Sequence, residues 1–384
     1  MKICISALFL QNHLGGIGWY CFSLIKHLKE KYPSLDITLV THKGVAPQFY
    51  PLKDNIRLME IGIKSRWLRI VYFQMIFPFL IKQKYHLLHS IGNIGMLACP
   101  IPQFITIHDT YEKVSPERFG VLKRTLMSFM ISQSGKNAAG VIAVSKNTFV
   151  DISRFYPHLA GKTKTIYQGC RFPITTSSAP LRPEHFLFVG TIEPGKNLGT
   201  VLKALSIVNQ TVKVDLTVIG AKGWKQSGIF NLVKHPEIAD RVHFEGYVSE
   251  EQLKKDYRSS YALICASMYE GFGLPVIEAL AFGCPVIAAK NSALLESGDS
   301  CVVYFETMDE KDLADKMLQV YTNAGSVRDN VQKGFIHAAR FTWEKTACET
   351  YDFYMSSIYG GNGRYNGLCG KSGVRCQGDL PADD

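Results

Sequence analysis

Short apolar runs separated by glycine turns and helical or polar stretches recur along this 384-residue chain, and they restrict its fold more than any other feature. The run from Lys2 to Leu10 is predicted to be a buried first strand, and similar runs follow at 37–40, 56–61, 87–88 and 104–107. Apolar strands that alternate with helices are typical of a parallel sheet covered by helices on both faces. The sequence therefore predicts an α/β protein.

The same pattern begins again near residue 185, which predicts two domains. A chain of this length is also long for one hydrophobic core. Prolines, serines and threonines are concentrated in the predicted linker, and the C-terminal stretch is glycine-rich and polar. The predicted division is a first domain at 1–172, a linker at 173–184, a second domain at 185–341, a final helix at 342–359 and a disordered tail at 360–384.

Charge is distributed unevenly between the two halves of the chain. Residues 1–175 hold 22 Lys and Arg against 8 Asp and Glu, a net of +14. Residues 176–384 hold 21 against 25, a net of −4. A basic half favours an anionic partner such as a membrane surface, a phosphate-bearing acceptor or a nucleic acid.

One segment of the basic half, 66–82, mixes aromatic and aliphatic residues with flanking basic ones. An interfacial helix that lies on a membrane has this composition, and so does a helix packed in a domain core. Both interpretations stay open here. The membrane interpretation predicts that Arg66 and Arg69 contact anionic lipid.

Cysteine use and hydropathy predict a cytoplasmic location. Ten cysteines show neither a CxxC pair nor regular spacing, so neither a disulfide framework nor a zinc site is indicated. The first strand lacks a signal-peptide cleavage site, and the longest apolar run, 70–81, is shorter than the roughly 20 residues that cross a bilayer. We expect a cytoplasmic protein in peripheral contact with the inner face of the membrane.

The run 268–287 carries the most chemical information. An apolar strand leads into a loop with two glycines, Pro275 opens a short helix, and Gly283 ends it. Glu270 and Glu278 bracket this turn with seven residues between them. Between the two carboxylates, free backbone N–H groups around Gly273 and Leu274 form the positive end of the helix, which suits a phosphate. The alternative is a surface Glu and a helix-start Glu favoured only by the dipole.

Four further residues, in three segments of the chain, are candidate ligands of an anion or a sugar. Gly15 and Gly16 form a tight turn after the first strand, which any doubly wound fold could also require. Lys196 stands at a helix start, where its charge is unfavourable unless an anion offsets it; an exposed lysine without a role is the alternative. His108 lies just past a strand end, either in a ligand pocket or as a hydrogen-bonding loop residue.

The pair of glutamates within the sequence Tyr-Glu-Gly-Phe-Gly-Leu-Pro resembles the signature of the retaining, nucleotide-sugar-dependent glycosyltransferases of family 4. Nearly the whole chain up to about residue 358 is similar to the family pattern. The resemblance implies the GT-B fold, in which two Rossmann-like doubly wound domains face each other across a cleft. It also implies that the last helix crosses back to the first domain.

The resemblance implies roles for the candidate residues. Glu270 would contact the donor sugar, His108 would line the sugar pocket, and Lys196 would bind the diphosphate; these three are the predicted catalytic residues. Glu278 would hold the ribose hydroxyls. The remaining predicted donor ligands are the amides of Gly15, Gly16, Gly273 and Leu274, together with Tyr247 beside the nucleobase. Family members usually carry a second basic residue in the turn of Lys196, where this chain has Thr191 and Gly195.

These expectations combine into one function: retaining transfer of mannose or a related hexose from a nucleotide diphosphate to a glycan or lipid-linked acceptor in polysaccharide biosynthesis. We expect no nucleic-acid partner. The absence of an Asp-x-Asp motif predicts that neither a metal nor another cofactor is needed. The alternatives are a sugar-nucleotide epimerase of the same fold and an inactive nucleotide- or polyanion-binding module. A dinucleotide oxidoreductase is disfavoured because the G-x-G-x-x-G spacing is missing.

Overall fold

The structure, a computed structural model, describes residues 1–10, 15–175, 185–223, 227–322 and 324–360. The predicted linker beyond residue 175 and the predicted disordered tail beyond Gly360 lie outside these residues.

Two parallel sheets organise the described part of the chain. The N-terminal sheet has the strand order β3-β2-β1-β4-β5-β6-β7 and the C-terminal sheet the order β10-β9-β8-β11-β12-β13. The strands are β1 Lys2–Ser6, β2 Asp36–His42, β3 Arg57–Ile61, β4 Leu87–Ser90, β5 Gln103–Ile107, β6 Gly140–Ala143, β7 Thr163–Thr165, β8 His185–Val189, β9 Asp215–Ile219, β10 Val242–Gly246, β11 Leu263–Cys265, β12 Val286–Ala289 and β13 Val303–Phe305.

Helices cover both sheets. They are α1 Gly16–Lys31, α2 Arg66–Val71, α3 Phe77–Ile81, α4 Tyr111–Val114, α5 Val121–Lys136, α6 Lys146–Phe155, α7 Leu198–Val208, α8 Ser227–Leu232, α9 Glu250–Ser259, α10 Leu274–Ala281, α11 Leu294–Gly298, α12 Glu310–Thr322, α13 Ala324–Ala338 and α14 Trp343–Tyr359. A π-helical turn, Tyr72–Ile76, joins α2 to α3, and 3-10 turns at Pro116–Arg118 and Pro194–Lys196 lie in loops that reach the site.

The inner strands of both sheets are largely buried, as the apolar runs predict. Every residue of β4, β5 and β12 is buried. The first strand is shorter than predicted: β1 ends at Ser6, because the chain turns and the Leu10 amide donates to the Ala7 carbonyl. The predicted α/β architecture of two Rossmann-like domains is confirmed.

The last helix belongs to the N-terminal half in space. Thr342 caps α14 by accepting a hydrogen bond from the Lys345 amide, which is the usual role of a Thr at the N-cap. The helix packs on α1, where Tyr351 stacks on Tyr32 at 4.0 Å between ring centroids. Further along, the Tyr354 hydroxyl lies 2.6 Å from His89 Nδ1 in the buried core.

Parallel strands place their carboxyl ends at one edge of each sheet, and the loops at these two edges meet. Tyr111, just beyond β5, donates its hydroxyl to the Tyr269 carbonyl beyond β11 at 2.5 Å. The Thr148 hydroxyl of α6 donates to the Gly271 carbonyl at 3.1 Å. Ligands of open α/β sheets bind at such strand ends, so the cleft between the domains is where a site is expected.

Candidate active site

The loop before α7 and the loop before α10 meet through an ion pair between Lys196 and Glu270. The Ser267 hydroxyl donates to Glu270 Oε1 at 2.6 Å, and the Met268 amide donates to the Gly195 carbonyl at 2.9 Å. Asn197, in the left-handed conformation with φ 55°, turns the chain from Lys196 into α7. The structure therefore joins two of the three predicted catalytic residues directly.

Lys196 is a cation held inside the cleft. Burial opposes its charged form, but the Glu270 carboxylate and Tyr111 outweigh this effect and raise the pKa of Lys196 above its usual value. An ammonium group has three donors, and the bond to Glu270 uses one of them. The remaining capacity of Lys196 is available to an anion.

The loop between Glu270 and α10 is built for close backbone approach. Gly273 has φ 93°, and a Cβ there would lie 2.7 Å from Ser297 Oγ. Gly271 passes so close to the His108 carbonyl that a Cβ has no room. α10 begins at Leu274. Pro275 in its first turn has no N–H group, and the Val276 amide donates to the Gly273 carbonyl at 3.0 Å, so the anion contact predicted at this helix start rests on the amides of Gly273 and Leu274 and stays a prediction.

The N-terminal glycine turn faces this helix start from the other domain. α1 begins at Gly16, and a Cβ on Gly16 would lie 3.9 Å from Leu274 Cδ1. No atom lies within 4 Å of the position that a Cβ of Gly15 would occupy, in the part of the chain that the structure describes. The structure thus brings the predicted diphosphate turns of the two domains to opposite walls of one cleft.

His108 approaches the site mainly through its backbone. Its carbonyl packs on Gly271, whereas its buried ring places Nε2 2.8 Å from the Ile91 carbonyl and meets the Tyr20 ring edge-to-face at 4.9 Å. Burial lowers the pKa of His108 to about 4, so the imidazole is neutral at neutral pH. The sugar contact predicted for His108 stays a prediction.

Glu278 is more enclosed than the sequence suggests. Arg171 Nε lies 3.3 Å from one carboxylate oxygen, and the Tyr257 hydroxyl donates to the other at 3.0 Å. Burial raises the pKa of Glu278, and Arg171 and Tyr257 oppose that shift. The Arg171 guanidinium also lies 5.2 Å from the centre of the Trp19 ring. The ribose contact predicted for Glu278 stays a prediction.

Glycines end three neighbouring strands of the C-terminal sheet. Gly190, Gly220 and Gly246 all have positive φ, and a Cβ on Gly220 would collide with the Gly190 carbonyl. Tyr247 follows directly and is 72% exposed. An exposed aromatic ring beside bare strand ends is compatible with the predicted position of a nucleobase.

Sequence reasoning missed a basic side chain at the centre of the site. Arg118 Nη2 donates to Glu193 Oε1 at 2.6 Å across the cleft, and its guanidinium lies 4.0 Å from the centre of the Tyr111 ring. The signal was present in the sequence, because the turn of Lys196 lacks its second basic residue. Only the folded structure shows which residue lies beside the position of that missing basic side chain.

Family models match nearly the whole chain from residue 14 to residue 340. The model described as Glycosyltransferase Family 4 matches residues 14–171, and the model described as Glycosyl transferases group 1 matches residues 175–340. The chain belongs to the family 4 glycosyltransferases. The predicted family and the predicted glycosyltransferase activity are thereby confirmed.

Two curated relatives of this glycosyltransferase are named for mannosyl transfer. The chain is 25% identical to the O-antigen chain mannosyltransferase B of Escherichia coli over 92% of its own length and 99% of the relative. It is 29% identical to the O-antigen chain mannosyltransferase RfbU of Salmonella typhimurium over 54% of its length and 58% of the relative.

Solved structures share the architecture. Sucrose-phosphate synthase from Thermosynechococcus elongatus superposes with a TM-score of 0.76 at 20% identity, covering 94% of this chain and 99% of that one. Anabaena HepE, solved with UDP-glucose, gives a TM-score of 0.73 at 18% identity, covering 93% of this chain and 100% of that one. At these identities the likeness shows the fold alone, and it confirms the predicted GT-B fold.

Proposed function

We propose that this glycosyltransferase moves mannose, with retention, from a nucleoside diphosphate donor to a lipid-linked glycan in O-antigen-type polysaccharide assembly. The observation that carries the proposal is the Lys196–Glu270 pair, which sets a phosphate-binding cation against the loop that the family uses for the donor sugar. The mannosyl group is inferred from the relative that matches this chain almost end to end.

The proposed chemistry is charge stabilisation on the leaving diphosphate. As the bond between the anomeric carbon and the phosphate oxygen breaks, negative charge grows on the diphosphate. Lys196 and the backbone amides of Gly15, Gly16, Gly273 and Leu274 are the groups proposed to stabilise that charge. Fixed donors in a cleft act most strongly where charge develops, because they need little reorganisation.

Retention is proposed to follow a front-face path. The acceptor hydroxyl oxygen bonds to the anomeric carbon on the face from which the diphosphate leaves, and the hydroxyl proton passes to the departing phosphate oxygen. Glu270 is committed to Lys196 and Ser267, so its role is to hold the lysine and the sugar rather than to attack the anomeric carbon.

A direct assay tests the donor, the acceptor and the stereochemistry. The purified protein is offered GDP-mannose, UDP-glucose and other nucleotide sugars with a polyprenyl-diphosphate-linked glycan. Products are identified by mass, and their anomeric configuration by the one-bond C1–H1 coupling constant in NMR. The expected product gains one hexose from GDP-mannose with the donor's α configuration. Inverted product, epimerised donor without acceptor, or nucleotide binding without turnover would each contradict the proposal.

The same assay tests the expectation that no metal is needed. Among the described residues, no group of three His, Cys, Asp or Glu side chains is arranged to hold a metal ion. We expect the turnover rate with EDTA to equal the rate with added Mg²⁺ or Mn²⁺. A strict dependence on a divalent ion would show that the prediction is wrong.

A lipid-linked acceptor is supported by an apolar surface on the N-terminal domain, formed by the segment 66–82 and by α5. Trp67 is 62% exposed, Phe79 82% and Leu122 84%. Between these side chains, Phe73, Phe77 and Ile81 pack inward with β1, β2 and β4. One side of the segment packs in the domain core, as the core interpretation predicts, and the other side is exposed to solvent.

The two parts of this surface flank one loop near the cleft. Gln74 donates to the Gly95 carbonyl at 3.0 Å, and the Gly95 amide donates to Ser134 of α5 at 3.1 Å. No helix in the described ranges combines the length and hydrophobicity needed to cross a bilayer. We propose that the surface lies on an anionic membrane, with exposed basic residues beside the apolar ones at Lys64, Arg66, Lys82, Lys84 and Lys123.

One predicted lipid contact is wrong. Arg69 is buried, and its Nη1 donates to the Ile63 and Lys64 carbonyls at 3.3 and 3.2 Å. Ile63 and Lys64 lie in the loop just before α2, so the Arg69 side chain reaches back along the chain and bonds to backbone carbonyls instead of facing lipid.

Vesicle co-sedimentation tests the membrane surface. Replacing Arg66 and Lys123 by Glu is expected to weaken binding to anionic vesicles at low salt, since each nearby basic residue contributes about 1 kcal/mol. Phe79→Ser is expected to weaken binding at high salt as well. The matched controls are Lys290→Glu and Ile336→Ser, both exposed on the C-terminal half. Indifference to lipid charge, or a dimer that Phe79→Ser dissociates, would contradict the proposal.

A further inference from the structure

The turn of Lys196 has no side chain at Gly195, and a side chain from the other domain occupies that space. Gly195 precedes Lys196 and carries no side chain. A Cβ built on Gly195 would lie 2.8 Å from Arg118 Cζ and closer still to Arg118 Nη1. The Arg118 guanidinium therefore occupies the space into which a side chain at position 195 would project.

Arg118 is held in this place from several sides. It belongs to the 3-10 turn Pro116–Arg118 between α4 and α5 of the N-terminal domain. Its Nη2 donates to Glu193 at 2.6 Å, and its plane lies over Tyr111, whose hydroxyl is bonded to the Tyr269 carbonyl. The side chain is 12% exposed, so its position is fixed by packing as well as by charge.

The guanidinium nevertheless has unused donors. Arg118 Nε and Nη1 are buried, and neither has a hydrogen-bond partner of ordinary geometry among the described residues. A buried donor without a partner is unfavourable, and a ligand oxygen would satisfy it. Nε and Nη1 face different sides of the guanidinium, so each can donate a single charge-assisted hydrogen bond to a phosphate oxygen while Nη2 stays on Glu193.

We propose that Arg118 is the second diphosphate-binding cation of this enzyme, supplied across the cleft in place of a basic residue in the turn of Lys196. The ligand class is the diphosphate of a nucleoside diphosphate donor, so the proposal rests on the proposed function. It also gives the cleft a closing contact, because a diphosphate held by Lys196 and Arg118 ties the two domains together. Glu193 positions the guanidinium.

A plain ion pair between domains is the competing explanation of the Arg118–Glu193 contact. If the pair only holds the domains together, removing either partner has the same effect on the enzyme. If Arg118 binds diphosphate, removing its charge weakens the diphosphate contact, whereas Glu193→Gln leaves both the charge and an acceptor oxygen in place. The two variants therefore separate the two roles.

Calorimetry provides the first test, with GDP and UDP as diphosphate probes and guanosine and uridine as probes without phosphate. Arg118→Gln is expected to weaken binding of the preferred diphosphate by about 10- to 100-fold, the loss typical of a charge-assisted hydrogen bond. Its binding of the nucleoside should change less than about threefold. The distant control Arg57→Gln should stay near wild type, and Glu193→Gln, which keeps an acceptor oxygen for the guanidinium, should lose less diphosphate affinity than Arg118→Gln. Arg118→Lys serves as the second variant should the glutamine protein fail to fold.

Transplanting the arginine provides the second test. Gly195→Arg alone should weaken diphosphate binding, because its Cβ displaces the native guanidinium. In the Arg118→Ala background the same substitution has room, and it should restore diphosphate binding about tenfold relative to Arg118→Ala alone. A substitution that harms one background and rescues the other is not expected from a purely structural ion pair.

Each outcome decides the question. Unchanged diphosphate binding in Arg118→Gln and Arg118→Lys, equal losses in Glu193→Gln and Arg118→Gln, or no rescue by Gly195→Arg would overturn the inference. If the wild-type protein binds no nucleoside diphosphate, the proposed function fails together with it. Wild-type binding with unaffected Arg118 variants leaves the proposed function standing and removes only this inference.

Discussion

The two glutamates of the E-x7-E motif each pair with a basic residue, yet the two pairs are built differently. Glu270 meets Lys196, a flexible ammonium group with donors to spare, between two loops at the cleft. Glu278 meets Arg171 inside a packed set that includes Tyr257 and Trp19. One motif therefore yields one adaptable pair and one enclosed pair, and residue spacing alone does not distinguish them.

The largest expected effect concerns the adaptable pair. Lys196→Ala should lower kcat by about 100- to 1,000-fold, because a donor to the charge developing on the diphosphate is lost. Lys196→Arg should retain more activity, since it keeps the charge but changes the geometry. Steady-state kinetics of both variants measure this. Equal losses would show that geometry, and not charge alone, is what Lys196 supplies.

The next effect concerns the enclosed pair. Glu278→Ala leaves the half-buried Arg171 without its carboxylate, which should cost about 3 kcal/mol of unfolding free energy besides any loss of nucleotide affinity. Glu278→Gln keeps the shape and should cost less stability while still weakening nucleoside binding by about tenfold. Urea unfolding and calorimetry with the nucleoside separate the two effects. Full nucleoside affinity in Glu278→Gln would mean that this carboxylate is only structural.

A smaller effect is expected beside the adaptable pair, at His108. His108→Ala should leave nucleoside diphosphate affinity within about threefold and lower transfer by about 10- to 100-fold, because a contact on the sugar side of the cleft is lost. Equal losses of binding and transfer would place His108 on the nucleotide side instead.

His108 and His89 also predict a pH dependence of stability. Burial lowers the pKa of His108 to about 4 and that of His89 to about 3, both below the usual value of about 6.5. At a pH between the folded and the unfolded pKa, the unfolded chain binds protons at these imidazoles that the folded chain does not. The contribution of each histidine to the free energy of unfolding is therefore fully present above a pH of about 6.5 and is lost as the pH falls through the folded pKa. Each is worth up to about 1.4 kcal/mol per pH unit. NMR of the imidazoles at pH 5.5 should show neutral rings.

The smallest expected effect is a difference between wild type and Glu278→Gln in how stability depends on pH. Burial raises the pKa of Glu278, so the folded protein holds a proton there at a pH where the unfolded chain has released it. The contribution of Glu278 to stability is therefore present below its unfolded pKa and declines as the pH rises through the folded pKa. Relative to wild type, Glu278→Gln should gain stability from pH 4 to 7 in urea unfolding. A flat difference would mean that Arg171 fully offsets the burial.

Much of this protein was predictable from the sequence because local chemistry determines it. Apolar runs with glycine turns predict two parallel sheets, since buried strands need apolar side chains on both faces. Ser145 and Thr342 cap α6 and α14, because a hydroxyl before the first turn of a helix satisfies an unpaired N–H group. The resemblance carried by Glu270, Glu278 and Lys196 indicated the family that the comparisons confirm.

Only the tertiary structure decided which of these groups meet. Arg118 and Gly195 are far apart in the chain, and nothing local to either one says that the guanidinium of one fills the missing side chain of the other. Composition predicts Arg69 on a membrane face, but the residue is buried and its side chain bonds to the carbonyls of the loop before α2. Contacts between distant segments depend on how the sheets and loops pack, and a one-dimensional pattern holds no record of that packing.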